Sequence, residues 1–77
     1  MNLIGSLDAP DLSWREREVL ALLCQRYTNH EMAKSLFVSH RTIESHVSHI
    51  LQKLHVRNRR EAAALAVKRG LVTLPLS

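Results

Sequence analysis

The residues whose types and spacing could do chemistry are concentrated in one stretch, VSHRTIESHVSHILQKL, from residue 38 to residue 54. At about 100° per residue, Ile43, Val47, Ile50, Leu51 and Leu54 form one apolar stripe, with the Ser, His and Gln side chains opposite. Short hydroxyl and imidazole groups on a helix face can hydrogen-bond to base edges, and arginine can bind guanine or phosphate. The pattern favours nucleic-acid contact, with a small helical bundle that has a polar outer face as the alternative.

Histidine and serine could also serve a metal site or an enzyme, and the spacing disfavours both. A structural zinc site usually needs four Cys or His ligands. His40, His46 and His49 span too much of the helix circumference to converge, and Cys24 is the single cysteine. Neither of the two glycines forms a phosphate loop, and no Ser–His–acid set lies on a rigid cleft. We therefore expect no metal, no cofactor and no catalysis.

The length of the chain and the distribution of its charge bear on the function of this stretch. A chain of 77 residues makes one domain, with net charge +4 and a pI of about 10.0. Eight of its eleven Lys and Arg residues lie between residues 34 and 69, where only Glu44 and Glu61 oppose them. This half suits a polyanion or an acidic surface, and a merely solvated basic surface stays equally open. A lone cysteine, no signal peptide and no membrane-spanning run predict a cytoplasmic protein.

Four helices are predicted to position these residues, at about 13–25, 29–36, 40–54 and 59–69. Ser13 to Glu16 and Thr28 to Glu31 form capping boxes, and Asn58 to Glu61 resembles a third. Ser39 caps the remaining helix, which lacks a carboxylate in its first turn and so keeps free amides that can bind phosphate. Gly70 stands where a left-handed C-cap belongs. With no strand pattern, we predict an all-α four-helix bundle.

The second and third helices are separated by about three residues, which is typical of a helix-turn-helix. In that motif the second helix of the pair lies in the DNA major groove and the first crosses the backbone. A different class of function stays open: a helical protein–protein adaptor whose basic face docks on an acidic partner. Competition between a specific duplex and a random duplex separates the two, because an adaptor has no sequence preference.

Three segments together resemble the LuxR/GerE-type helix-turn-helix domain: LSWREREVLALLCQ, TNHEMAKSLFVSHRTIESHVSHILQKLHV and NRREAAALAVKRGLV. The resemblance implies a transcriptional-regulator domain at residues 12–73, preceded by a linker or N-terminal extension at 1–11 and followed by a tail at 74–77. The implied partners are double-stranded DNA, a second copy of the chain on a two-fold symmetric site, and RNA polymerase. Such a domain often follows a receiver or ligand-sensing domain, so the chain is either a stand-alone regulator or a C-terminal part.

The resemblance also assigns site residues, matched position by position. Base contacts fall on Glu44, Ser45 and Ser48, to which His49 is added because it lies one turn from Ser45. Phosphate contacts fall on Thr28, Asn29, Thr42 and Lys53, to which Arg41 is added from its place at the helix start. The fourth helix is implied to form the dimer, and its small-residue face offers Ala63, Ala64 and Val67, although a core role is equally open for one or two of them.

The sequence departs from the family pattern at several positions. Glu44 stands where lysine is frequent; its carboxylate could accept from cytosine N4, at a cost in affinity near phosphates, or it could point away. Arg26 and His55 stand where glycine is frequent, so a left-handed backbone would be strained at either residue. Trp14, the single tryptophan, is expected to pack in the core or to cover one end of the domain.

Overall fold

The computed structural model describes residues 11–72 and contains four α-helices and no strand within that range. They are α1 (Trp14–Cys24), α2 (Asn29–Leu36), α3 (His40–Leu54) and α4 (Arg59–Lys68). The all-α prediction with a helix-turn-helix is confirmed, and the bounds agree to within one residue at each end. Of the extension predicted at 1–11, only Asp11 is described, and the tail predicted at 74–77 lies outside the described residues.

The helix starts follow the capping signals of the sequence. Both predicted capping boxes form: Ser13 and Thr28 each accept from the amide three residues on, and Glu16 and Glu31 each accept from the cap amide. At α4, Asn58 accepts from the amide of Glu61, but the Glu61 carboxylate accepts from the amide of Arg57 instead of the cap. Side-chain caps therefore fix where all four helices begin, since Ser39 accepts from the amide of Thr42 at α3.

Each of the four helices is followed within two residues by a residue with a left-handed backbone, and the amide of the next residue bonds back into the last turn. The left-handed residues are Arg26, Phe37, His55 and Gly70, with φ of 68°, 58°, 58° and 66°. Their successors donate to carbonyls five residues earlier, at 2.8–3.1 Å, as in a Schellman motif. Only the last of the four is glycine, so three helix ends hold a side chain in a conformation that costs about 1 kcal/mol or more.

The core is a single cluster to which every helix contributes. Its fully buried members include Val19 and Leu20 from α1, Met32 from α2, and Ile43 and Ile50 from α3, while Ala62 and Ala66 come from α4. In α3 the apolar stripe predicted from the sequence faces this core, with Val47 and Leu51 half-buried at its edges. Because α3 packs against α1, α2 and α4, its opposite face is left to solvent.

Two large aromatic side chains lie outside the core. Trp14 is 80% exposed and Phe37 is 94% exposed, so the prediction that Trp14 packs in the core or covers an end is wrong. Trp14 is the first helical residue, and at about 100° per residue it points away from the side on which Glu16 and Val19 are buried. Over residues 11–72, no helix is both long and apolar enough to cross a bilayer.

Candidate nucleic-acid interface

The outward face of α3 is polar along its length. All four predicted base-contact residues are exposed to solvent: Glu44, Ser45, Ser48 and His49. Ser45 and Ser48 are short and form no side-chain hydrogen bond with another described residue. Their hydroxyl groups are therefore free to donate to, or accept from, a surface that approaches α3.

The amino end of α3 remains open to an anion. Ser39 Oγ accepts from the Thr42 amide at 3.0 Å and lies 2.8 Å from Thr42 Oγ1, so both hydroxyl groups serve the cap. The amides of His40 and Arg41 have no acceptor among residues 11–72, and the first turn contains no acidic residue. The helix dipole adds positive potential at these amides, which favours a phosphate there.

Glu44, the residue whose orientation the sequence leaves open, leans toward the same helix end. Its Oε2 lies 3.3 Å from His40 Nδ1, and both side chains are more than half exposed. The contact is an ion pair only when His40 is protonated. Since the pair is exposed and screened by water, Glu44 can leave it at little cost and turn toward a partner.

A buried carboxylate on α1 holds the other end of α3. Glu16 is 5% exposed, and its Oε1 accepts from Lys53 Nζ at 2.7 Å and from the Ser13 amide at 2.8 Å. Its Oε2 lies 4.0 Å from His49 Nδ1. Burial acts to raise the pKa of Glu16, but the hydrogen bonds from Lys53 and Ser13 and the charge of Lys53 outweigh it and lower the pKa. Lys53, predicted to contact a phosphate, is thus already paired.

The remaining phosphate candidates lie at the start of α2. Thr28 is exposed and serves as the N-cap, while Asn29 is half-buried and accepts from Arg59 Nη1 through its Oδ1 at 2.9 Å. Arg59 Nη2 also donates to the Tyr27 carbonyl at 3.0 Å. These contacts join α4 to the turn between α1 and α2.

The predicted dimer face of α4 borders the same region. Ala64 and Val67 are exposed, Val67 by 51%, whereas Ala63 is half-buried and packs against the core. All three line an open groove of about 810 Å³ that also includes Thr28, Asn29 and the arginines 26, 59 and 60. Cys24 lies in this groove, and burial raises the pKa of its thiol. The structure therefore brings two of the predicted phosphate-contact residues and the predicted dimer residues to one side of the domain.

Sequence reasoning missed two residues that position this interface, Glu16 and Arg59. The capping box of Glu16 was predicted, but its bond to Lys53 spans 37 residues of sequence and leaves no local pattern. Arg59 was counted only as a positive charge, because its acceptors lie 30 and 32 residues away. Among residues 11–72, no three His, Cys, Asp or Glu side chains come together as metal ligands.

Comparison with known proteins agrees with this geometry. The family model described as GerE, bacterial regulatory proteins of the luxR family, matches residues 10–66. The oxygen regulatory protein NreC of Staphylococcus carnosus (strain TM300) is 44% identical over 61 residues, which are 79% of this chain and 28% of NreC. The transcriptional regulatory protein DegU of Brevibacillus brevis is 41% identical over 61 residues, 79% of this chain and 26% of DegU.

Solved structures give the same result. The response regulator ChrA of a heme-sensing two-component system superposes with a TM-score of 0.76 at 41% identity, over 79% of this chain and 30% of that one. The transcription factor GerE superposes with a TM-score of 0.75 at 33% identity, over 83% of this chain and 96% of that one. This chain thus spans less than a third of NreC, DegU and ChrA but matches GerE almost end to end. The chain belongs to the luxR family of bacterial regulatory proteins, and its four helices form the DNA-binding helix-turn-helix domain of that family.

Proposed function

We propose that the domain recognises a specific double-stranded DNA sequence with α3 in the major groove. The observation that supports this most directly is the division of α3 into a buried aliphatic stripe and an exposed face of short polar side chains. A face of this kind can approach base edges closely, because no bulky Lys or Glu row keeps it away. Ser45, Ser48 and His49 are proposed to contact bases, with Glu44 as an acceptor for cytosine N4.

Phosphate contacts are proposed at the two helix starts that border this face. The amides of His40 and Arg41, the Arg41 guanidinium and Thr42 lie at the start of α3, and Thr28 and Asn29 at the start of α2. Contacts of this kind fix the orientation of a protein on the duplex and supply much of its affinity, whereas base contacts supply specificity.

The proposal extends to the assembly. We propose a homodimer on DNA through the exposed residues Ala64 and Val67 of α4, supported by small side chains that let two helices approach closely. The free interface is expected to be weak because the exposed apolar face is small. RNA polymerase is the further proposed partner, on the ground that a regulator bound beside a promoter acts on the transcribing enzyme. The cytoplasm is the proposed location, since bacterial DNA lies there.

Selection from a random duplex pool, followed by affinity measurements on the selected duplex and on a random one, tests the function. Ser45→Glu and Ser48→Glu should each lower the ratio of the two affinities by about 5- to 150-fold, the range for one lost base contact. Ser35→Glu places the same charge on the exposed face of α2 and is the matched control. It should weaken both affinities and leave their ratio unchanged.

The result that contradicts the proposal is equally specific. If the folded protein selects no sequence, or if the serine variants on α3 keep the wild-type ratio, α3 does not recognise bases. Binding to duplexes without any preference would instead favour a non-specific DNA binder, and a failure to bind duplexes would favour the adaptor alternative.

A further inference from the structure

Arg59, on α4, hydrogen-bonds to the start of α2. It is half-buried, and its two terminal nitrogens donate to Asn29 Oδ1 at 2.9 Å and to the Tyr27 carbonyl at 3.0 Å. Neither acceptor carries a charge, and no carboxylate of residues 11–72 forms an ion pair with this guanidinium. The charge of Arg59 is therefore held in a fixed position and is not neutralised by a carboxylate of residues 11–72.

This contact determines how the Asn29 amide is turned. A guanidinium is a donor only, so the atom of Asn29 that faces it must be the carbonyl oxygen. The amide is planar, and its Nδ2 consequently points away from Arg59. Nδ2 has no acceptor among residues 11–72. Since no buried side-chain N or O atom in that range lacks a hydrogen-bond partner, Nδ2 is not buried. The two N–H donors of Asn29 are thus oriented and accessible.

The surroundings of the oriented amide favour an anion. Arg26 and Arg60 line the same groove as Arg59 and Asn29. The one acidic side chain at this helix start, Glu31, is engaged with the amide of Thr28 at 2.8 Å. Asn29 is also the first residue of α2, where the backbone amide has no intrahelical acceptor. Three guanidinium groups against one capped carboxylate leave a net positive potential beside free donors.

We propose that Arg59 is a positioning residue for DNA binding: it orients the Asn29 amide so that both of its N–H groups face a phosphate of the duplex backbone. The inference rests on the proposed DNA-binding function. It assigns to α4 a part in phosphate contact in addition to the dimer contact. Arg59 also contributes its charge, but its main effect passes through Asn29, because both of its terminal nitrogens are already hydrogen-bonded to the protein.

A double-mutant cycle with Arg59→Lys and Asn29→Ala tests this, using a fluorescent duplex of random sequence at low salt and the full chain. Lysine keeps the charge but cannot donate to both acceptors in the same fixed geometry. We expect Arg59→Lys and Asn29→Ala each to weaken binding about three- to tenfold, the effect of one lost hydrogen bond. In the Asn29→Ala background, Arg59→Lys should have no further effect. Arg69→Lys, at an exposed arginine just after α4 and outside this groove, is the control and should bind as the wild type does.

Each outcome is decisive. If Arg59→Lys weakens binding equally in both backgrounds, or if Asn29→Ala binds normally, the positioning role is overturned while DNA binding stands. If the wild type binds no duplex at all, the proposed function itself fails. A direct measurement on the wild type avoids any effect of folding: the side-chain NH₂ resonances of Asn29 should shift when the duplex is added. Unchanged resonances under saturating duplex overturn the proposal.

Discussion

Replacing Glu16 with glutamine removes a buried charge that joins α1 to α3. Glutamine has nearly the same shape, and its Oε1 can still accept from Ser13 and Lys53; the negative charge is lost and an NH₂ group replaces Oε2. A hydrogen bond to a charged group contributes about 1.5–3 kcal/mol and a neutral one about 0.5–1.5 kcal/mol. For two bonds the difference is about 2 kcal/mol, and water reduces the Lys53 share because that side chain is 39% exposed. We expect the free energy of unfolding to fall by about 1–2 kcal/mol.

Thermal and urea unfolding followed by circular dichroism measure this loss. For a domain of this size, each kcal/mol lowers the midpoint temperature by about 4–8 °C. Glu18→Gln is the matched control on the same helix. Glu18 pairs with Arg15 at 3.2 Å with both side chains 41% exposed, so its replacement should change the unfolding free energy by less than about 0.5 kcal/mol.

The pH dependence gives a second readout with a defined sign. The pKa of Glu16 is lowered from its ordinary value of 4.5, so this carboxylate binds protons less readily in the folded state than in the unfolded state. Its stabilisation is therefore fully present above pH 4.5 and is lost as the pH falls through the folded pKa. The difference between wild type and Glu16→Gln should be constant near neutrality and shrink in acid. A difference at neutral pH no larger than that of Glu18→Gln, or one that grows in acid, refutes the reasoning.

Three further predictions concern the helix ends, the dimer face and the phosphate contacts. Arg26→Gly and His55→Gly should each raise the unfolding free energy by about 0.5–1 kcal/mol in urea titrations, because glycine adopts the left-handed backbone without strain; a loss of stability would contradict this. Val67→Glu should leave the melting temperature within a few degrees of wild type. It should abolish cooperative binding to a two-fold symmetric duplex in mobility-shift titrations, and cooperative binding that persists would show that the dimer forms elsewhere. Arg41→Gln should reduce the slope of log affinity against log salt by about 0.9, while Lys53→Gln should reduce it much less, because Glu16 already neutralises Lys53; equal reductions would show that Lys53 releases Glu16 on DNA.

The fold followed from the sequence because its signals are local. Capping residues such as Ser13 and Thr28 act within three residues, and both of their boxes form in the structure. The apolar stripe of α3 has a helical period that requires no knowledge of the other helices. For Arg26 and His55 the sequence predicted only that a left-handed backbone, if present, would be strained. Nothing in the sequence indicated the left-handed backbone of Phe37.

The exposure of the candidate site residues was predictable only where a residue acts alone. Ser45 and Ser48 are exposed because of their place on α3, which the period already determines. Pairings such as Glu16 with Lys53, or Arg59 with Asn29, depend on how helices distant in sequence meet. Trp14 shows the converse error: its residue type suggests burial, but its position in the first turn turns it to solvent.

The two ends of α3 have different roles in the domain. At the carboxyl end, Lys53 and His49 lie beside the buried Glu16, and their contacts hold α3 against α1. At the amino end, the free amides of His40 and Arg41 are not used by the fold. A phosphate at the amino end gains a new contact, whereas one at the carboxyl end must compete with a 2.7 Å ion pair to a buried carboxylate. The free amides at the amino end are consequently available to a phosphate, whereas the contacts of Lys53 and His49 with Glu16 fix the angle at which the exposed face of α3 is presented.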